Sequence, residues 1–225
     1  MNLIFYDDST VYGGQQLMGI KAAEALLVIG DIVSFIYHVN NIRLEKELKA
    51  LSLQYDNLII FPTSIKSNRL QALRLFFEWI DILKILNYIK KTKASIVLAV
   101  QGDIEIGSKC LLACRIANVR VISYIPYAHS AKAKGLKLAF FRDLISKIIY
   151  RLPNAFITST ASVSREIVHL SGRPVAVVHD GIKNIHEMNR NLLNKDDLRE
   201  FFNIPKEKFI AAVVARVQFR SNLEQ

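Results

Sequence analysis

The amino-acid sequence predicts a doubly wound α/β fold, in which helices cover both faces of a parallel sheet. Short runs of β-branched and aromatic residues alternate with longer stretches of helical periodicity. The short runs are continuously apolar apart from single polar residues, as in strands that are buried on both faces. The predicted strands are Leu3–Tyr6, Ile32–Tyr37, Asn57–Phe61, Ser95–Val100, Val119–Ile125, Ala155–Thr158 and Val175–Val178.

The stretches between these strands predict crossover helices, which cover residues 14–28, 43–52, 67–92, 106–117, 136–150 and 161–171. After Asp180 the pattern changes to a polar segment, a short helical stretch (Lys195–Phe202) and one further apolar strand (Phe209–Val214). A lone core strand cannot build a sheet. We therefore predict a Rossmann-like domain over residues 1–183, followed over 184–225 by an interdomain segment and the first strand of an absent second domain.

The positive charge is concentrated in two segments. The chain is 51% apolar and 22% charged, as a globular protein is, with a formal net charge of +10. Ser64–Lys93 holds seven basic and two acidic residues, Ser130–Arg151 holds six and one, and the remaining residues balance. This local surplus predicts an anionic partner. Nucleic acid is disfavoured, because the cations alternate with Leu, Ile and Phe rather than with exposed stacking aromatics.

Apolar residues at helical spacing run through the second basic segment, namely Leu136, Phe140, Leu144 and Ile148. One interpretation is an ordinary helix with this stripe in the core, and the other is a helix that docks on an anionic membrane surface. The sequence has no apolar run of about 18 residues that could span a membrane. It also lacks the basic start of a signal peptide. We expect a cytoplasmic protein that is peripherally associated with the inner face of the membrane.

Cys110 and Cys114 are the only cysteines, and they lie four residues apart in a predicted helix. This spacing disfavours a disulfide, so we expect buried thiols in a reducing compartment. No His lies near them at metal-ligand spacing, and no hydrolase or zinc-protease motif is present. No metal or other cofactor is implied.

Polar residues and glycines follow the carboxyl ends of several predicted strands, where open parallel sheets bind ligands. Gly13 and Gly14 follow the first strand, either to bring backbone N–H groups to an anion or to form a tight turn with positive φ. Gln101 and Asp103 follow the fourth strand and can contact a hydroxylated ligand. Asp103 is equally suited to capping the next helix.

His129 lies in the loop after the fifth strand. Its imidazole can exchange a hydrogen bond or a proton with a sugar hydroxyl near neutral pH, although a lone loop histidine is often only structural. Arg216 directly follows the last predicted strand. One interpretation is that its guanidinium binds a diphosphate, and the other is that it is a solvated terminal arginine. The glycine motifs of autonomous nucleotide-binding domains are absent. These residues indicate binding of a polyhydroxy acceptor beside a phosphorylated donor.

Six short segments, in order along the chain, resemble the family 4 glycosyltransferases, which are retaining enzymes of the GT-B architecture. They are YGGQQ (Tyr12–Gln16), VQGDIEIG (Val100–Gly107), SYIPYAHS (Ser123–Ser130), ITSTASVSREI (Ile157–Ile167), VVHDGI (Val177–Ile182) and VARVQFRSN (Val214–Asn222). The resemblance covers essentially the whole chain, which corresponds to the N-terminal, acceptor-side half of a family member.

The resemblance implies a sugar nucleotide as donor substrate, held mainly by a second domain, and a glycan or lipid-linked acceptor, held mainly by this one. Gly13 and Gly14 would face the donor phosphates or the acceptor. His129 would lie near the reacting sugar. Arg216 would neutralise the leaving diphosphate, where negative charge develops.

Four positions depart from the family pattern: Gln16 replaces Glu, Asp180 replaces Asn, Ala215 replaces Gly, and Ser221 replaces a lysine expected to assist Arg216. The family's donor-sugar motif is also absent, so we expect the chain alone to be inactive. The alternative is a non-catalytic acceptor-binding or membrane-docking subunit that pairs with a separate donor-domain chain.

Overall fold

The computed structural model describes residues 1–65, 74–75, 77–179, 199–200, 203 and 205. The strands within them are β1 (Asn2–Asp7), β2 (Ile32–His38), β3 (Leu58–Thr63), β4 (Ile96–Val100), β5 (Arg120–Tyr124), β6 (Ala155–Thr158) and β7 (Val175–Val177). The helices are α1 (Gly14–Val28), α2 (Ile42–Ser52), α3 (Trp79–Thr92), α4 (Ser108–Ala117), α5 (Ala139–Ile149) and α6 (Ala161–Ser171).

All seven strands join one parallel sheet, in the order β3-β2-β1-β4-β5-β6-β7. β1 is central, and its Leu3 lies opposite Val33 of β2 and Ile96 of β4. Successive strands are added outward on one side as far as β3 and then on the other side from β4 to β7. The predicted doubly wound fold is confirmed, with a switch point between β1 and β4.

Two apolar layers sandwich the sheet. On one face, Phe5 and Phe35 stack with ring centroids 5.5 Å apart beneath α1 and α2. On the other face, Ile4 and Val97 belong to a larger cluster that includes residues of α3 to α6. Neighbouring side chains of a strand point to opposite faces, so a strand buried on both must be apolar throughout.

Helix starts differ from the predictions where the backbone turns first. α4 begins at Ser108 rather than 106, because Gly107 has a φ of +74° and ends the preceding loop. α5 begins at Ala139 rather than 136, after Leu138 with a φ of +56°. Part of the predicted 67–92 helix lies outside the described residues, and the described helix there is α3.

α5 contradicts one of the two interpretations of its apolar stripe, namely that the stripe lies in the core. Its buried residues are Arg142, Ser146 and Ile149. Phe140 is 76% exposed and Leu144 and Ile148 are 53% and 55% exposed, so these three residues of the stripe face outward.

Cys110 and Cys114 are both buried in α4, as predicted, and remain free thiols with their Sγ atoms 4.0 Å apart. Burial raises the pKa of the Cys110 thiol well above its ordinary value. Among the described helices, none has the length and apolar content needed to cross a membrane.

The chain divides into two units, Met1–Asp180 and Gly181–Gln225. In the second unit, Arg199 donates a hydrogen bond to the Pro205 carbonyl at 2.8 Å. The predicted helix over Lys195–Phe202 lies mostly, and the strand Phe209–Val214 wholly, outside the described residues. The start of a second domain there stays a prediction.

Candidate functional site

The candidate site lies at the carboxyl edge of the sheet, on the loops that follow β1, β4 and β5. β4 pairs with β1 on one side and with β5 on the other, so these three loops are neighbours. The strand order reverses between β1 and β4, and such a switch point opens a crevice in which doubly wound sheets bind ligands.

The β1 loop is organised by Gln16, which is buried in the first turn of α1. Its Oε1 accepts from the Gly13 backbone N–H at 2.9 Å, and its Nε2 donates to Asp7 at 2.7 Å. A glutamate here would place a second carboxylate against Asp7. The glutamine amide can therefore serve both partners at once.

Asp7 is a buried carboxyl at the end of β1. Burial raises its pKa to about 7. Hydrogen bonds from the Ser9 backbone N–H and from Gln16 lower the pKa in part, and the neighbouring Asp8 carboxylate raises it further. Asp7 thus changes charge near neutral pH at the mouth of α1.

The interpretation of Gly13 and Gly14 as a tight turn with positive φ is wrong. Gly13 is extended, with a φ of −152°, and Gly14 is the first residue of α1. The Gly13 N–H already donates to the Gln16 side chain. Gly14 borders open space, because no atom lies within 4 Å of the position that a Cβ on this residue would take. The approach to the N-terminus of α1 is therefore open beside Gly14. Phosphate or acceptor contact by the two glycines stays a prediction.

Gln101 is fully buried directly after β4. Its Oε1 accepts from the Ser123 hydroxyl, and its Nε2 donates to the Ile106 carbonyl. Both ends of the amide are therefore engaged within the protein, tying β5 to the loop before α4. The described contacts give Gln101 a positioning role, and its predicted ligand contact remains untested.

Two ion pairs connect the β4 loop with the segment around α5. Asp103 pairs with Lys134. Glu105 and Arg142, both buried, form two parallel hydrogen bonds of 2.9 and 2.8 Å. Bidentate pairs of this kind fix geometry as well as charge. The expected capping role of Asp103 is not observed, because the residue before α4 is Gly107.

A cavity of about 260 Å³ opens between these loops and helices. Asp103 and His129 both line it, so the fold brings together two of the predicted site residues. His129 is exposed, and its ring lies 6.4 Å from that of Tyr127 at an angle of 23°. α5 contributes Ser146 and Lys147 to the lining, and Tyr150 follows directly after this helix. α6 contributes Glu166 and Leu170.

The cavity wall combines apolar side chains, such as those of Ile104 and Leu170, with hydrogen-bonding groups of both kinds. Burial raises the pKa of Tyr150, and the nearby carboxylates of Asp103, Glu166 and Asp143 raise it further. The Tyr150 phenol therefore keeps its proton at neutral pH and can donate to a ligand. Carboxylates accept, while Lys147 donates. A small space that offers both donors and acceptors is suited to a polyhydroxy compound.

Sequence reasoning missed Tyr150 and Glu166, which lie in segments without a recognisable motif. The charge surplus of Ser130–Arg151 pointed to this region but not to a cavity. Arg216 lies outside the described residues, and its diphosphate role stays a prediction. No cluster of three or more His, Cys, Asp or Glu side chains within the described residues is arranged to hold a metal ion.

No protein-family model matches the chain, and no curated protein matches it by sequence. Solved structures do match. A glycosyltransferase from Rickettsia africae has a TM-score of 0.55 at 15% identity over 91% of this chain and 50% of its own. LpCGTa in complex with UDP has a TM-score of 0.57 at 10% identity, covering 88% and 61%.

A UDP-GlcNAc 2-epimerase from Neisseria meningitidis bound to UDP-GlcNAc has a TM-score of 0.55 at 12% identity, covering 79% of this chain and 45% of its own. The chain therefore spans about half the length of these neighbours. At such low identity the likeness concerns the fold, and it supports the GT-B fold. The likeness to family 4 and the retaining stereochemistry stay predictions.

Proposed function

We propose that this protein is the acceptor-side part of a glycosyltransferase that transfers a sugar from a sugar nucleotide to a lipid-linked or polysaccharide acceptor. The observation that carries the proposal is the cavity beside Asp103 and His129, at the carboxyl edge of a Rossmann-like sheet with the GT-B fold. Two structural neighbours hold UDP or UDP-GlcNAc, which supports a sugar nucleotide as donor.

The cavity's size favours one small group as its occupant. It falls below the range of about 300–1,000 Å³ typical of drug-sized ligands, and a single sugar ring is of suitable size. In this proposal Glu166 and Asp103 accept from acceptor hydroxyls and the Tyr150 phenol donates. The exposed His129 imidazole reaches the reacting group from the rim, where it hydrogen-bonds or shuttles a proton.

We further propose that transfer is of the retaining, family 4 type, that it needs no metal, and that it depends on a donor-binding domain. The last point is supported by the match to only about half of each neighbour. Gly13 and Gly14 are proposed to meet the donor phosphates or the acceptor, and Arg216 to stabilise the leaving diphosphate. A lipid-linked acceptor would place the protein at the inner face of the membrane.

The alternative is a non-catalytic acceptor-binding subunit that works with a separate donor-domain chain. It is favoured by the fact that every lining residue of the cavity belongs to Met1–Asp180. Acceptor binding would then need neither the sugar nucleotide nor the residues beyond 180.

The test compares His129→Ala with His169→Ala, a matched change at an exposed histidine of α6 outside the cavity lining. The protein, with and without a GT-B donor-binding domain fused after residue 225, is incubated with labelled UDP-sugars and lipid-linked acceptors. We expect transfer only by the fusion, about 100-fold slower with His129→Ala and unchanged with His169→Ala, since a positioned proton-transfer group contributes about that much.

Equal activity of the two fused variants would contradict the role of His129. Acceptor binding by calorimetry without transfer by the fusion would favour the non-catalytic subunit. Absence of both binding and transfer would overturn the proposed function.

A further inference from the structure

The inward side of α5 is mixed, because Ile149 is buried beside polar residues and Ile145 packs against the core. Arg142 and Ser146 face inward, and Arg142 makes its two hydrogen bonds to Glu105 there. The outward side carries Phe140 (76% exposed), Phe141 (56%), Leu144 (53%) and Ile148 (55%). An isolated exposed apolar residue is ordinary, but four large ones on a single helix form a patch that marks an interaction surface.

Cations surround this patch. Lys132, Lys137, Lys147 and Arg151 are exposed on α5 and its flanks. The other two basic residues of the segment, Lys134 and Arg142, are neutralised by Asp103 and Glu105. The single acidic residue, Asp143, accepts hydrogen bonds from the backbone N–H groups of Ala131 and Lys132. The outward charge is therefore positive around an apolar centre.

A second exposed apolar patch lies on the same face of the sheet. Phe77, Trp79, Ile80 and Leu83, at the start of α3, are exposed by 84%, 50%, 71% and 60%. The inner residues of α3, such as Ile82, belong to the same core cluster as Ile149 of α5. Both helices follow strands of one parallel sheet and so begin at its carboxyl edge. Two outward patches on helices of the same face of the sheet are suited to a broad surface rather than to a single peptide.

We propose that the outward side of α5, formed by Phe140, Phe141, Leu144 and Ile148 with their neighbouring cations, docks on an anionic phospholipid bilayer. Apolar side chains would enter the interface while the cations meet lipid phosphates. A second copy of the chain is the weaker occupant, because a two-fold contact would set the same cations against each other. This proposal rests on the membrane location proposed above and assigns it to a defined surface. Its test requires no sugar nucleotide, so it can fail independently of the proposed sugar transfer.

The experiment is co-sedimentation of the full chain with vesicles of phosphatidylcholine alone or mixed with phosphatidylglycerol. We expect binding to the anionic vesicles only, weakened between about 0.1 M and 1 M salt as the screening length falls from about 10 Å to about 3 Å. Leu144→Ser/Ile148→Ser should lower the affinity at least about tenfold, since it removes two apolar side chains from the contact. The matched control is Leu53→Ser/Ile42→Ser, which changes the same residue types, also exposed, on the opposite face of the sheet.

A second variant, Lys132→Glu/Lys137→Glu, reverses charge without touching the apolar residues and should also weaken binding to anionic vesicles. Thermal unfolding of each variant shows that it is folded. The proposal is overturned by equal binding to neutral vesicles, by equal loss in the control, or by no binding at all. Concentration-dependent dimerisation that Leu144→Ser/Ile148→Ser abolishes, without vesicle binding, would assign the surface to a second copy and overturn it too.

Discussion

α2 and α5 are helices of equal length, eleven residues each, that cover opposite faces of one sheet and bury different kinds of side chain. α2 buries Leu44, Leu48 and Leu51 and turns its Glu45–Lys49 ion pair outward. α5 buries Arg142 and Ser146 beside a single isoleucine, Ile149, and exposes two phenylalanines, a leucine and another isoleucine. Both sequences are amphipathic, so amphipathicity alone does not say which side faces the core.

The difference arises from the partners that each helix meets. α2 packs on the apolar side chains of β2 and β3, and its apolar side is the one that fits. α5 meets Glu105, a buried carboxylate of the loop after β4, and Arg142 compensates that charge. A buried carboxylate without a partner is costly, so the arginine side of α5 is directed inward.

The largest expected effect tests this anchoring of α5. Arg142→Ala leaves Glu105 buried without its partner and should lower the free energy of unfolding by about 3–5 kcal/mol. The double variant Glu105→Gln/Arg142→Met removes both charges and should recover most of the loss. Urea unfolding measures both. If Arg142→Ala leaves the free energy of unfolding unchanged, the ion pair does not anchor α5. The ion pair would then not explain why α2 and α5 bury different kinds of side chain.

The same substitution on the two helices gives the next effect. Leu48→Ala opens a cavity beneath α2 and should cost about 2–5 kcal/mol. Leu144→Ala changes an exposed side chain of α5 and should stay within about 0.5 kcal/mol. Urea unfolding of the two variants gives their free energies of unfolding, which can be compared directly if the dependence on urea concentration is the same. A comparable loss at Leu144 would mean that the outward side of α5 is covered in solution.

A smaller effect on stability is expected from Asp7, a buried carboxyl whose hydrogen-bond partner is an amide rather than an arginine. The pKa of Asp7 is raised from its ordinary 3.8 to about 7, so the folded state holds a proton that the unfolded state releases between these values. The stability contributed by that proton is fully present below the ordinary pKa and is lost as the pH rises towards the raised one. We expect wild type to lose about 2 kcal/mol between about pH 5 and pH 7 relative to Asp7→Asn. Parallel pH profiles of the two proteins would contradict the raised pKa.

Much of the site could be anticipated from position in the sequence. Asp103 and His129 lie in loops directly after strands, and the carboxyl ends of parallel strands meet at one edge of the sheet. The roles of Gln101 and Asp103 could not be read in this way. Whether the Gln101 amide turns towards a ligand or towards Ser123 depends on contacts 22 residues apart, and the partner of Asp103 lies 31 residues away.

The sequence by itself determined the seven strands, because short runs of mostly β-branched and aromatic residues between helical stretches are typical of a parallel sheet. It also determined α1 and α6, whose observed bounds equal the predicted ones. Only the tertiary structure decided that Tyr150 and Glu166 line a cavity with His129, and that α5 turns Phe140 outward. The physical reason is that strand burial is encoded residue by residue, whereas the side that a helix buries depends on distant groups. For α5 that group is the Glu105 carboxylate, 37 residues from Arg142 along the chain.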